Sequence, residues 1–502
     1  MTQSNDIKCD VLVIGGGGAG LAAAIEAADN GASVVLVEKN PELGGTTAWS
    51  IGSFTATQTP QQLENGIEDS PDEHFADMPK FSGTLSSRDN PALRRLFVDN
   101  ASDTLRWLMG MGVEFFGPMP EPPHEKPRMH NVLPNSRAYI YHLGRHARRA
   151  GVDIRTGTRA SRFIVKDGKV TGADCKGVDG GYTIHARATV LASGDYAANP
   201  ELKAKYISDD VAQVDAMNPT ATGDGHIMAF PLGARVINGD VLSGPTLRFV
   251  PPPKEPLDRL LPPFRFVGKI MRFALTSLPA KLLRPLVLKF TTTSMAPELG
   301  LFTKGALLVN RDGDRITGAP GALGLKIAQQ PGKAGYVVMD ASLAQTFSEW
   351  PNFVSTAPGV SYAYFHDFRR CRPDIFYAAD NLDDLAARMG IDAASFQKSV
   401  DAHNAESNTL IANPPFYALG PAKSYVVLTD GGLAVSDDLH VLGDNDNPID
   451  GLYAAGSVGQ GGLMLKGHGH HIGWAFTSGR IAGRSAAADA RKTPDRPEGV
   501  AV

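Results

Sequence analysis

The segment Gly461 to Phe476, GGLMLKGHGHHIGWAF, places one ammonium, Lys466, and three imidazoles, His468, His470 and His471, among glycines just before a helical stretch. Imidazole titrates near neutral pH, so one of the three could exchange a proton with a substrate carbon. A single acid/base is enough, so packing or exposure to solvent is the commoner fate for any one of these histidines. No metal is expected, because His-Gly-His without an adjacent carboxylate does not make a ligand set. A second set of proton carriers lies in SYAYFHDFRR and DIFYAAD, which offer Tyr362, Tyr364, His366 and Tyr377. Aromatics in such runs more often serve burial.

Such side chains need a cofactor and a frame, and the N-terminal stretch CDVLVIGGGGAGLAAAIEAADNGASVVLVEKN supplies the start of both. Residues 11 to 14 form an apolar run suited to a buried parallel strand, Leu21 to Ala28 read as a helix, and Ser33 to Val37 form a second strand. Gly15, Gly17 and Gly20 satisfy GxGxxG between strand and helix: the first for a tight turn, the second for approach of a pyrophosphate, the third for helix-on-strand packing. Gly18 and Ala19 lie in the same turn, at the helix N-terminus whose free N–H groups face the phosphates. Glu38, 18 residues past Gly20, is placed to accept from a ribose diol, with Lys39 beside it.

PELGGTTAWSIGS follows directly. Gly44, Gly45, Thr46, Thr47 and Ser53 are candidates for the pyrophosphate and ribityl chain of a flavin. Two further strand ends close on Ser193 and Gly194, and on Gly456 and Ser457; Asp224 lies in TGDGH. The segment Ile472 to Ser485 reads as a helix. Its N-terminus, at His471 and Ile472, would stabilise negative charge on a reduced flavin. Asp195 is expected to meet only solvent.

Composition bounds the rest. The 502 residues suggest two or three domains, and 49 basic against 53 acidic residues, net −4, give no sign of a nucleic-acid partner. Cys9, Cys175 and Cys371 are too far apart for a disulfide framework or metal knuckle. The N-terminus lacks a basic segment followed by an apolar run, which argues against a secretory leader and for a cytoplasmic protein, either free or at the inner face of the membrane.

These motifs resemble the fumarate reductase and 3-ketosteroid dehydrogenase family of FAD flavoproteins: VIGGGGAGLAAAIEA, VEKNPELGGTTAWS, TGDGHIMAFPLGA and GLYAAGSV all match it, over residues 9 to 486. The resemblance implies an α/β Rossmann-like FAD-binding domain, discontinuous at 1–237 and 419–502, with an inserted α+β cap at 238–418 that closes over the flavin. It implies non-covalent FAD, since the segment around GGTTAW lacks the tethering His of the respiratory relatives. No second strand-GxGxxG-helix unit is present for a nicotinamide, so an external electron carrier is expected.

Departures from the family pattern bear on the substrate. The dicarboxylate branch has HTMGG, whose His holds a carboxylate; here LTDGG puts Leu428 there. The cap Arg of that branch, or the Tyr of the ketosteroid branch, falls on Leu323, eight residues past Arg315. A second ketosteroid-branch Tyr falls on Leu465, its backbone donor on Gly469, and a substrate-binding Arg on Lys466. With carboxylate-binding groups missing, the resemblance is nearer the ketosteroid branch. The expected substrate is a hydrophobic, cyclic or steroid-like ketone, whose α,β C–C bond is desaturated or whose C=C is reduced. Reduction of a monocarboxylate held by Lys466, and a flavin-dependent isomerase or non-redox flavoprotein, remain the alternatives.

Residues 259 to 290, RLLPPFRFVGKIMRFALTSLPAKLLRPLVLKF, carry seven basic and no acidic residues among apolar ones. Prolines interrupt the run, and it contains no uncharged stretch of the roughly 20 residues a spanning helix needs. Its two expected fates are peripheral contact with the inner face of a membrane and packing within the cap or against a second copy of the chain.

Overall fold

The computed structural model describes residues 6–254, 260–357 and 361–492. The apolar N-terminal run forms strand Ile7–Ile14, the centre of a sheet whose core order is Pro448–Ala454, Gly180–Leu191, Ile7–Ile14, Val34–Val37 and Asp153–Arg155, all parallel. Val11, Leu12 and Val13 are fully buried, as a strand covered on both faces requires. Antiparallel strands Arg159–Lys166 and Lys169–Gly177 extend this sheet from Gly180–Leu191.

Helix Gly18–Asp29 packs on helix His470–Lys492 through small residues. A Cβ on Gly479 would lie 2.3 Å from the Ala19 carbonyl oxygen, and one on Gly483 2.2 Å from that of Ala23, so the two backbones touch. Residues 460 positions apart (Ala19 and Gly479, Ala23 and Gly483) are thereby locked into one layer.

A second sheet is built around the long strand Phe416–Val426, which pairs with Ala334–Met339, Thr246–Phe249 and Phe376–Ala379 antiparallel and with Asp215–Ala216 parallel. Leu247, Leu308, Val337, Phe368 and Leu419 form its own buried core. The expected cap boundary at 418 falls inside this strand, and its hydrogen bonding with the cap sheet continues to Val426. Two segments that connect the sheets pair with each other: Leu242–Ser243 with Leu428–Thr429, and Val236–Ile237 with Gly432–Leu433. Among the described residues, no helix is long and apolar enough to cross a membrane.

Candidate active site

The nucleotide motif builds a groove on the carboxyl ends of the parallel strands. Gly15, Gly17, Gly18, Ala19, Glu38, Lys39, Gly45, Thr46, Thr47, Ser193, Gly194, Asp224, Gly456 and Ser457 line it. The glycines have different tasks. Gly15 has φ +113°, a Cβ on Gly17 would come no closer than 3.8 Å to the Gly44 carbonyl oxygen, and a Cβ on Gly20 would lie 1.8 Å from the Gly15 carbonyl oxygen. Gly20 therefore packs helix on strand and does not line the groove.

Glu38 is fixed from both sides: Oε2 accepts from the Gly16 N–H at 2.7 Å and Oε1 from the Asn40 N–H at 2.8 Å. Lys39 donates to Asp224 Oδ2 at 3.1 Å, and Arg159 to its Oδ1 at 2.9 Å. These neighbours hold the Asp224 carboxyl below its usual range despite partial burial, which alone would raise it. Gly44, φ +145°, opens helix Gly45–Trp49, and Ser53 donates to Asn131 Oδ1 at 2.6 Å; neither lines the groove. Arg159, Thr158 and Asn218 do, although the sequence reading passed over them. Asn218, in the Asn-Pro turn before TGDGH, donates to Thr46 Oγ1 at 2.8 Å.

A dinucleotide fits this groove. The helix N-cap, Gly17, makes no side-chain cap, the Gly18 N–H donates to Thr47 Oγ1 at 3.1 Å, and Ser193 Oγ is buried without a hydrogen-bond partner on the groove wall.

Beyond the groove, tertiary structure sends the three histidines in three directions. His468 is half exposed and its Nδ1 hydrogen-bonds Glu121, which raises its pKa. His470 is fully buried beside His74 and His124; its Nε2 lies 3.1 Å from His74 Nε2, and Nδ1 donates to the Lys466 carbonyl at 2.6 Å. Burial pushes His470 down to about 4 and His124 to about 3. Candidate ligand atoms of the three lie within 4.8 Å of one another. Arg128 donates to His124 Nδ1 at 2.9 Å, so a permanent cation adjoins this hydrogen-bonded imidazole group.

His471 goes a third way, toward Asp430, a fully buried carboxylate in the crossing segment. Asp430 accepts from Lys466 Nζ at 2.5 Å and Gln460 Nε2 at 3.1 Å, and His471 Nε2 lies 3.4 Å from its Oδ1. Lys466 also donates to the Leu242 carbonyl at 3.2 Å, tying the glycine-rich segment to the cap crossing. Burial lowers the pKa of His471, and the Asp430 charge opposes that shift. Asp195 lies near enough for the Asp430 charge to act on it: burial, the largest cause, and Asp430 raise Asp195 to about 7. At 1% exposure, with the Ala197 N–H donating at 2.7 Å, Asp195 is not the solvent-facing residue expected from sequence.

Gly469, φ +85°, leaves no room for a side chain: a Cβ would lie 2.5 Å from Thr55 Oγ1. Ile472 is partly buried and is the third residue of the helix, which begins at His470, two residues before the start expected from sequence. Tyr362 sits on a short cap strand against Trp350 and Phe353, with ring centroids 5.1 and 4.9 Å away, and Tyr364 stacks on His366. Leu323 is buried in the cap core and Leu465 in the flavin-domain core.

A parallel sheet with a dinucleotide groove, and a charged cluster where an inserted second sheet joins it, define a flavin-dependent oxidoreductase. The chain belongs to the FAD binding domain family, matched over residues 10–251 and 292–466, and its cofactor is FAD. A probable fumarate reductase of Shewanella frigidimarina (strain NCIMB 400) is 28% identical over 504 residues, spanning 95% of this chain and 74% of the relative. The open conformation of a flavocytochrome c3 fumarate reductase superposes with a TM-score of 0.71 at 25% identity, covering 96% of this chain and 79% of the other. A 3-ketosteroid Δ1-dehydrogenase from Sterolibacterium denitrificans shares the fold with a TM-score of 0.65 at 19% identity, covering 96% and 99%.

Proposed function

We propose that the enzyme forms or reduces the C=C bond α,β to the ketone of an uncharged, apolar, cyclic or steroid-like molecule. The observation that carries this reading is that Lys466, the cation at the substrate-arginine position of the family pattern, is already paired with buried Asp430. A substrate carboxylate would have to compete for that ammonium and leave Asp430 a buried charge without its ion partner, which is costly. A neutral ketone needs no such exchange.

Bound FAD would supply the acceptor or donor of the hydride at N5. Gly15, Gly17, Glu38, Thr46 and Ser193 would hold it, without a covalent link. In the desaturating direction, neutral His471 takes the proton from the carbon next to the ketone, and Asp430 stabilises the imidazolium so formed. The neighbouring carbon gives up the hydride, so two electrons leave the substrate and pass to an external carrier. In reduction the same groups run backwards, with His471 returning the proton. The Gly469 N–H is the proposed donor to the ketone oxygen as it gains enolate charge. His471 and Lys466 are preferred to Tyr362 and Tyr364 because Asp430 joins both at the domain crossing, whereas the two tyrosines sit with Trp350, Phe353 and His366.

A second reading, reduction of a monocarboxylate with Lys466 released from Asp430 to bind it, draws on the similarity to fumarate reductases. Anaerobic stopped-flow mixing with cyclic ketones, 3-ketosteroids, monocarboxylates and dicarboxylates tests both. Bleaching of the flavin by a saturated ketone, or reoxidation of the reduced enzyme by an enone, is expected. Reoxidation by enoates alone would replace this reading with the second, and no flavin response to any of them would point to a non-redox flavoprotein.

The exposed helix pair within 259–290 has two candidate partners, a membrane surface and a second copy of the chain.

A further inference from the structure

The segment between the two family-matched stretches, residues 252–291, contains a helix pair that turns apolar side chains outward. In helix Arg265–Ser277, Gly268 faces the flavin domain so closely that a Cβ would lie 3.0 Å from Glu114 Cβ and 3.1 Å from the Leu133 carbonyl oxygen. Arg265 fastens that face to Glu114 at 3.0 Å. On the opposite face, at spacings of four and three residues, stand Phe266, Ile270 and Phe273, which are 60, 63 and 69% exposed. Folding has left the large apolar side chains in water while burying a glycine, the reverse of what a helix packed only for stability does.

Helix Ala280–Ser294 adds exposed Leu282 and is fastened to the cap by Arg284, which donates to Asp367 at 3.0 Å. The pair therefore bridges both domains. Of the bases in the segment, Arg265 and Arg284 are held in these ion pairs; Lys269 and Lys289 are exposed, and the sequence adds Arg272, Arg259 and Lys281 with no acid from 259 to 290.

We propose that this surface docks on an anionic lipid bilayer, with Phe266, Ile270 and Phe273 entering the acyl boundary and Lys269 and Lys289 meeting lipid phosphates. An apolar ridge flanked by cations, without a spanning helix, matches an interfacial contact: burial of the ridge holds the chain, and the charges select the leaflet. A second copy of the same surface would bring like charges together, which disfavours self-association through it. Docking is independent of which substrate the flavin site takes. For an apolar substrate, it would bring the flavin site to the phase in which that substrate dissolves.

The test is flotation of the FAD-loaded enzyme with phosphatidylglycerol-containing and pure phosphatidylcholine vesicles, alongside light scattering of the lipid-free protein. The chain is expected to float with the anionic vesicles. Replacing Phe266, Ile270 and Phe273 by Ser should keep it at the bottom with its flavin absorbance intact. Lys269→Gln and Lys289→Gln should each weaken binding about fivefold, the worth of one basic residue near an anionic surface. Wild-type protein that stays at the bottom with both vesicles, a Ser variant that floats like wild type, or a dimer dissociated by the Ser substitutions would overturn the proposal.

Discussion

Replacing Lys466 by Met tests both the stability of the charged cluster and its chemical role. Asp430 is fully buried, and the Lys466 side chain is 19% exposed, so the pair sits well within the protein. Removing one partner of a buried pair costs about 3–5 kcal/mol. Gln460 and His471 still face Asp430 at 3.1 and 3.4 Å, which places the loss near the lower end, about 3 kcal/mol. Without the ammonium, Asp430 is left as a buried carboxylate facing only Gln460 and His471, which is the source of the loss. Adding Asp430→Asn removes the stranded charge and should restore most of the stability. Thermal release of FAD, followed by flavin fluorescence at pH 8, reads all three proteins. A Lys466→Met variant as stable as wild type at pH 8, or a double variant with no recovery, would refute the reasoning. Turnover by the repaired double variant would show that neither residue carries the proton.

Other predictions follow from the same geometry. His471→Ala is expected to lower kcat by about 10²–10⁴-fold with FAD content unchanged, whereas His468→Ala, at the half-exposed Glu121 contact, should leave kcat near wild type; steady-state assays with the identified substrate compare them. Gly20→Ala should yield protein without bound flavin, seen as loss of visible absorbance, because its Cβ would lie 1.8 Å from the Gly15 carbonyl oxygen. Asp195, raised to about 7, binds more protons folded than unfolded between about pH 4 and 7, so stability should decline with rising pH across that window by up to about 1.4 kcal/mol per unit; Asp195→Asn should remove that slope in pH-dependent unfolding.

The sequence by itself determined the strand, turn and helix that build the groove, and the cofactor class. Gly15, Gly17, Gly20 and Glu38 lie within 24 residues, and their geometry depends on one strand, one turn and one helix, so local pattern suffices. It also flagged the basic apolar character of 259–290, but not which face each residue takes; only packing of Gly268 against Glu114 turned Phe266, Ile270 and Phe273 outward. The histidines show the same limit. His468, His470 and His471 are neighbours in sequence with indistinguishable local signals. Their environments come from Glu121, from His74 and His124, and from Asp430, residues 41 to 396 positions away. Protonation is set by burial and by nearby charge, both products of long-range packing, so three adjacent imidazoles acquired three chemical characters only when the chain folded.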